Sequence, residues 1–256
     1  LRRLWRNNFS LGGGSRIDPG DDLVISYLER PQGQAFLNGY AYPSISPQLL
    51  SRQLPYLSDL SPFTYGIDGS GDLLPLSDQA LIENARQHGT SSVLHLSTLT
   101  ASGQFSTQQA QILLSDTAAQ STLISQVLET VESKGFAGVD VDFEYLPGDL
   151  AGAYAAFLGD LRRSLTPRGR FLWAALSPKT RSDQPGLLYE GHDYAAVGAA
   201  VDAALLMTYE WGYTYGPPMA VAPIANVRAV LDYAVTQIRP GKLMLGIPNY
   251  GYDWSL

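Results

Sequence analysis

The chain contains no cysteine, so it has neither a disulfide framework nor a thiol nucleophile, and its compartment stays open because many bacterial exported proteins also lack cysteine. It has no apolar run of membrane-spanning length and no signal-peptide pattern at its start, so membrane insertion is not expected. It has no basic run: 17 Lys and Arg stand against 24 Asp and Glu, a net charge of −7 that argues against a nucleic-acid partner. Histidine is scarce, and the three present, His88, His95 and His192, are scattered, so each reads as structural rather than as a metal ligand. What remains is a 256-residue chain, 45% hydrophobic and with 25 glycines, suited to one sizeable domain with a small appendage.

The chain is organised around Gly135-Phe136-Ala137-Gly138-Val139-Asp140-Val141-Asp142-Phe143-Glu144-Tyr145. Read as a strand, it sends Val139, Val141 and Phe143 to one face and Asp140, Asp142 and Glu144 to the other, with same-face neighbours roughly 6.5–7 Å apart. Crowded like charges raise one another's pKa, so at least one carboxyl can keep its proton near neutral pH. A protonated carboxyl beside an ionised one is what acid-catalysed cleavage of a glycosidic bond requires. A solvated polar face fits poorly, because the opposite face is apolar and helical segments flank the strand on both sides. A hard-cation cage lacks acidic loop ligands or a nearby histidine to complete it, so neither metal nor cofactor is expected.

Around this stretch runs a strand–helix rhythm. Strands are predicted over 35–42, 60–67, 92–96, 135–145, 171–177, 203–209 and 242–247. Helices are predicted from a Ser46 cap with Pro47 in the first turn to about 54, over 77–88, over 107–134 in one or two pieces ending at Gly135, and after a Pro147-Gly148-Asp149 cap. That last helix carries a buried stripe of Tyr154, Phe157, Leu158, Leu161 and Leu165; two more follow over 189–198 and 224–238. Such alternation indicates parallel strands joined by right-handed crossovers, and seven units point to a (β/α)8 TIM barrel lacking its eighth strand in this chain. The natural protein is therefore expected to continue beyond Leu256, since an open barrel exposes two strand edges. A doubly wound sheet is the alternative, but no glycine-rich phosphate fingerprint follows the first strand.

Chemistry in such barrels sits at the C-terminal strand ends. Reading those ends collects Tyr40 and Tyr42, Asp142 and Glu144, Met207, Tyr209, Glu210 and Trp211, then Asn249, Tyr250 and Tyr252. Aromatic rings around a carboxylate cluster suit a sugar, whose apolar faces stack while its hydroxyls find partners.

Two resemblances follow. Leu4-Trp5-Arg6-Asn7-Asn8 leading to Ile17-Asp18-Pro19-Gly20-Asp21-Asp22-Leu23-Val24-Ile25 resembles the second half of a LysM glycan-binding module, placing that half-module at 1–27, a linker at 28–34 and the barrel at 35–256. Gly138-Val139-Asp140-Val141-Asp142-Phe143-Glu144 is similar to the signature of glycoside hydrolase family 18, D-G-x-D-x-D-x-E, while Met207-Thr208-Tyr209-Glu210 and Gly246-Ile247-Pro248-Asn249-Tyr250-Gly251 resemble its M-x-Y-D and G-x-P-x-Y-G segments. Within that family, the stretches 187–194 and 216–221 resemble the LysM-bearing spore-cortex N-acetylglucosaminidases of spore-forming bacteria.

The resemblance implies a retaining reaction without an enzyme nucleophile. Glu144 would be the general acid/base, Asp142 would orient the substrate's acetamido nitrogen, Asp140 would modulate Asp142, and the Tyr209 hydroxyl would hold the acetamido carbonyl. Glu210, where the family usually has Asp, would contact sugar with Met207 and Asn249 beside it, and Tyr40, Trp211 and Tyr250 would form its walls. The first Asp of the signature is Ala137 here, which implies altered support rather than lost chemistry. The resemblance further implies an N-acetylglucosamine-containing glycan, peptidoglycan or chitin, as partner, a monomer, and a place in the cell wall, at the spore surface or cortex, or outside the cell. Two rivals are a non-catalytic chitinase-like lectin and a two-carboxylate glycosidase with Glu210 as nucleophile.

Overall fold

The computed structural model describes residues 35–100 and 103–254; the half-module expected at 1–27 and the linker at 28–34 lie outside the described residues. The strands are β1 (Asn38–Ala41), β2 (Asp59–Pro62), β3 (Gly66–Ile67), β4 (Leu73–Leu74), β5 (Ser91–Ser97), β6 (Gly138–Asp142), β7 (Phe171–Leu176), β8 (Ala203–Leu206) and β9 (Leu243–Leu245). The helices are α1 (Pro47–Gln53), α2 (Gln79–Gln87), α3 (Thr107–Ser115), α4 (Thr117–Lys134), α5 (Ala151–Leu165), α6 (Tyr194–Ala200) and α7 (Ile224–Gln237).

Seven strands form one all-parallel sheet in the order β1-β2-β5-β6-β7-β8-β9. This order never reverses, so there is no switch point and the doubly wound alternative is excluded. Crossovers of one hand keep the helices on one face, and the sheet curls into a half-barrel with its other face inward. Strand alternation divides the side chains accordingly. Leu94, Leu96, Val139, Val141, Leu172, Ala174, Leu176, Ala204 and Leu206 face the helices and form the main core with Leu123, Val127 and Val131 of α4 and the α5 stripe. The intervening positions, His95, Asp140, Trp173, Ala175 and Leu205, are buried outside that core.

Local signals explain most element ends. Ser46 accepts the Leu49 N–H with Pro47 in the first turn of α1. The region 107–134 is two helices because Asp116 turns out of α3 and its carboxylate accepts the Ala118 and Ala119 N–H groups that open α4. Gly135 ends α4 in the left-handed conformation, φ 75°. All five residues of the expected α5 stripe are fully buried.

Four expectations need correction. The strand expected over 60–67 is broken, because Pro62 offers no N–H to continue the ladder. The chain rejoins β5 through Tyr65 and then turns into the β3–β4 hairpin. Pro147-Gly148-Asp149 does not cap α5 through a side chain; a single 3-10 turn, Gly148–Leu150, leads in instead. The helix expected from 189 starts at Tyr194, where Asp193 accepts the Ala196 N–H. The strands carrying the site are also shorter than expected: β6 stops at Asp142 and β8 at Leu206, so Glu144 and Tyr209 stand on loops just past the sheet.

Phe157 stacks at 5.8 Å on Phe143, the residue before Glu144, in the fully buried core. Phe157→Ala should cost about 3–5 kcal/mol, read as a lowered urea midpoint, because the cavity can close only by moving the end of β6.

Candidate active site

The site is built on the register of β5 with β6, which sets His95 beside Asp140 and Ser97 beside Asp142 on the inward face. Asp140 is fully buried and Asp142 nearly so. Tyr40, arriving from β1, donates its hydroxyl to Asp140 Oδ2 at 2.6 Å. His95 Nε2 lies 3.5 Å from Asp142 Oδ2 and 3.9 Å from Asp140 Oδ2, while its Nδ1 is 2.6 Å from Thr64 Oγ1. Its ring stacks on Phe63 at 4.8 Å and meets Tyr40 edge-on at 5.3 Å.

Burial opposes a charge on His95, but its contact with Asp142 and the charges of Asp140 and Asp142 outweigh it and raise its pKa. Burial likewise pushes the Asp140 carboxyl up, against the pull of His95 and Tyr40. Asp140 and Asp142 each keep one buried oxygen, Oδ1, with no protein hydrogen-bond partner among the described residues. For Asp142, beside Glu144, such an oxygen is a buried acceptor left without a partner inside the protein.

Glu144 leaves the sheet half-buried, and burial, then Asp142, then Glu210 raise its pKa to about 8. Its carboxyl therefore carries a proton at neutral pH. Tyr209 faces the same carboxylates; burial first, then Asp142, push its phenol up, so it remains a hydrogen-bond donor. Gly246 makes room for it, because a Cβ there would sit 2.6 Å from the Tyr209 ring and 2.7 Å from the Leu206 carbonyl. Tyr145 and Glu210 are the two non-glycine residues with left-handed backbone among those described, φ 54° and 66°. Both flank the site, where local strain concentrates.

The remaining expected residues are placed unevenly. Glu210 is exposed, and both its oxygens accept the Tyr252 hydroxyl, at 3.0 and 2.9 Å, while Tyr250 also donates to Oε1. Met207 packs with Ala175, Leu205, Tyr209 and Met244 below the site. Trp211 is half-buried against the main core and Asn249 is exposed. Ala137 serves the ladder through its backbone, donating to Ser92 O and accepting from Phe171 N–H. Sequence reasoning missed His95 and Thr64 as site residues. For His95 a signal existed: in the strand expected over 92–96 it alternates with Leu94 and Leu96 as Asp140 does with Val139 and Val141. Among the described residues, no group of three or more His, Asp or Glu is arranged to hold a metal ion.

Fold and site together define a class: an α/β protein with a curled parallel half-barrel and a carboxylic acid held protonated just past the C-terminal end of β6, the fourth strand of that sheet. Within that class, the family description "Glycosyl hydrolases family 18" matches residues 80–256, and the chain belongs to this family. It is 38% identical over 204 residues to the cortical fragment-lytic enzyme of Bacillus subtilis (strain 168), covering 79% of this chain and 47% of that protein. The structure is similar to that of the Bacillus cereus spore cortex-lytic enzyme SleL, with TM-score 0.80, 35% identity, and coverage of 86% of this chain and 52% of that one. It is also similar to a chitinase from Chromobacterium violaceum ATCC 12472, with TM-score 0.78, 25% identity and coverage of 86% and 70%. The chain thus spans about half the length of the cortex-lytic relatives it matches.

Two outcomes follow from the electrostatics. Glu144 binds its proton more tightly folded than unfolded, so its contribution to stability is present below the ordinary carboxyl range and is lost as pH rises toward and through about 8. Glu144→Gln should remove that dependence: urea midpoints of mutant and wild type should converge at pH 4 and diverge in favour of the mutant at pH 9. His95→Leu removes the imidazole that both buried carboxyls face and leaves their oxygens without that polar neighbour, which should cost about 1–3 kcal/mol in the same measurement.

Proposed function

We propose that this chain is the catalytic barrel of a glycosidase that cleaves β-1,4 bonds next to N-acetylglucosamine in peptidoglycan, spore cortex foremost, by a retaining, substrate-assisted reaction. The observation that carries this reading is Glu144, protonated at neutral pH beside Asp142, whose Oδ1 has no protein partner. The substrate class draws support from relatives named as cortical fragment-lytic and spore cortex-lytic enzymes.

Glu144 gives its proton to the glycosidic oxygen as the bond from C1 breaks. The substrate's own acetamido oxygen attacks C1 from the opposite face and forms an oxazolinium ion. Asp142 accepts the acetamido N–H and stabilises the positive charge, and the Tyr209 hydroxyl donates to the acetamido oxygen. The Glu144 carboxylate then takes a proton from water as that water attacks C1, restoring the acid and the starting configuration. Asp140, held by Tyr40 and facing His95, tunes Asp142 from below. Glu210 and Asn249 meet sugar hydroxyls at the rim, Met207 supports Tyr209 from beneath, and Tyr40, Tyr250 and the exposed part of Trp211 supply apolar walls. In the rival two-carboxylate scheme Glu210 attacks C1, yet both its oxygens accept tyrosine hydroxyls.

Sugar release from spore-cortex fragments and chitooligosaccharides tests this. Glu144→Gln should lose at least about two orders of magnitude in kcat. Wild-type kcat/KM should fall as pH rises through about 8, where Glu144 gives up its proton. A substrate with a plain 2-hydroxyl should not be cleaved; its hydrolysis would favour Glu210 as nucleophile. Binding of glycan without release by either protein would make the chain a lectin.

A further inference from the structure

The β6–β7 ladder has its last register pair at Val141 and Ala174, below the site. In this ladder the Phe171 N–H donates to the Ala137 carbonyl. Six positions further along each strand, the corresponding donor and acceptor are the Ser177 N–H and the Phe143 carbonyl. They do not meet directly. The imidazole of His192 stands between them: Ser177 N–H donates to Nδ1 at 2.9 Å, and Nε2 lies 2.9 Å from the Phe143 oxygen. Because Nδ1 accepts, the ring proton sits on Nε2 and is donated to Phe143. One neutral tautomer satisfies both strand ends, whereas an imidazolium would set an Nδ1–H against the Ser177 N–H.

The surroundings keep that state. His192 is 1% exposed, and burial lowers its pKa, reinforced by Lys179 from the loop after β7 and opposed by Asp142 of β6 and the bond to Phe143. From α5, Tyr154 stacks on it at 5.9 Å. The segment bearing it is anchored independently: Lys179 Nζ donates to the His192 carbonyl at 3.0 Å, and the Tyr194 hydroxyl donates to Ser177 O at 2.6 Å while accepting the Lys179 N–H. Gly191 permits the approach, since a Cβ there would lie 2.2 Å from Leu146 Cβ and 2.5 Å from its carbonyl oxygen.

The Phe143 carbonyl belongs to the peptide plane that also contains the Glu144 nitrogen. We propose that His192 is a positioning residue for Glu144: a neutral imidazole inserted as a spacer in the β6–β7 ladder, it lets the strand ends part while fixing the peptide plane from which the acid projects. This rests on Glu144 being the acid. No backbone contact can play the part, because a direct Ser177–Phe143 bond would draw the strand ends together under the site.

The test uses the whole chain with His192→Asn, whose Oδ1 can still accept from Ser177 while its amide N–H stops short of the Phe143 oxygen, and His192→Gln, which returns an N–H near the Nε2 position. With a chitooligosaccharide substrate, His192→Asn should lower kcat ~10- to 100-fold with KM within about 2-fold, and His192→Gln should recover most of the loss, as expected for a misplaced but intact acid. In the free wild-type protein, 15N NMR should show the His192 proton on Nε2 with Nδ1 bare from pH 5 to 8. Unchanged kcat in folded His192→Asn, or equal losses in both variants that track lost stability, would overturn the proposal. So would a proton found on Nδ1, a result that stands even if neither variant folds. If Glu144→Gln leaves hydrolysis intact, the catalytic reading fails by itself, while the tautomer still decides whether the spacer exists.

Discussion

Several carboxyls crowded at the inner end of a parallel sheet are the constraint around which this structure is built. Desolvating a carboxylate costs far more than any single packing contact returns, so each needs a partner or a proton. Asp140 is given the Tyr40 hydroxyl, Asp140 and Asp142 share His95, and Glu144 keeps its proton. Those three solutions draw in β1, β5 and the loop after β2, which is why residues far apart in the chain converge on one strand end. The sheet's sequential order makes this possible, because its curl points alternate side chains of every strand inward.

The same constraint explains where the backbone is irregular. An acid that must reach a substrate cannot stay inside a ladder, so β6 ends at Asp142, Tyr145 turns left-handed, and the β6–β7 ladder opens. An opened ladder leaves a donor and an acceptor without each other, and His192 answers both. On the far rim Glu210 is also left-handed and is tied by Tyr250 and Tyr252. Rigidity below and turned loops above divide the labour: helices and outward strand faces supply stability, strand ends supply geometry.

Much of this was readable beforehand, for local reasons. The α5 stripe follows from helical spacing, the α1 start from Ser46-Pro47, the α4 stop from Gly135, and the shared face of Asp140 and Asp142 from the two-residue period of a strand. The break after Pro62 could have been anticipated, because proline cannot donate to a central ladder. His95 was within reach through the alternation of its own strand. His192 was not, since Phe143, Ser177 and His192 come from three separate segments and nothing in any one of them announces the others.

Which residues alternate, where most helices start and stop, and that Asp140 and Asp142 share one strand face follow from local sequence, because each depends on neighbours a few positions away. Tertiary structure alone decided the protonation of Glu144, the upward shift of the His95 pKa and the tautomer of His192. Those properties are set by burial and by charges and hydrogen bonds arriving from other strands, and both are functions of distance in space rather than along the chain.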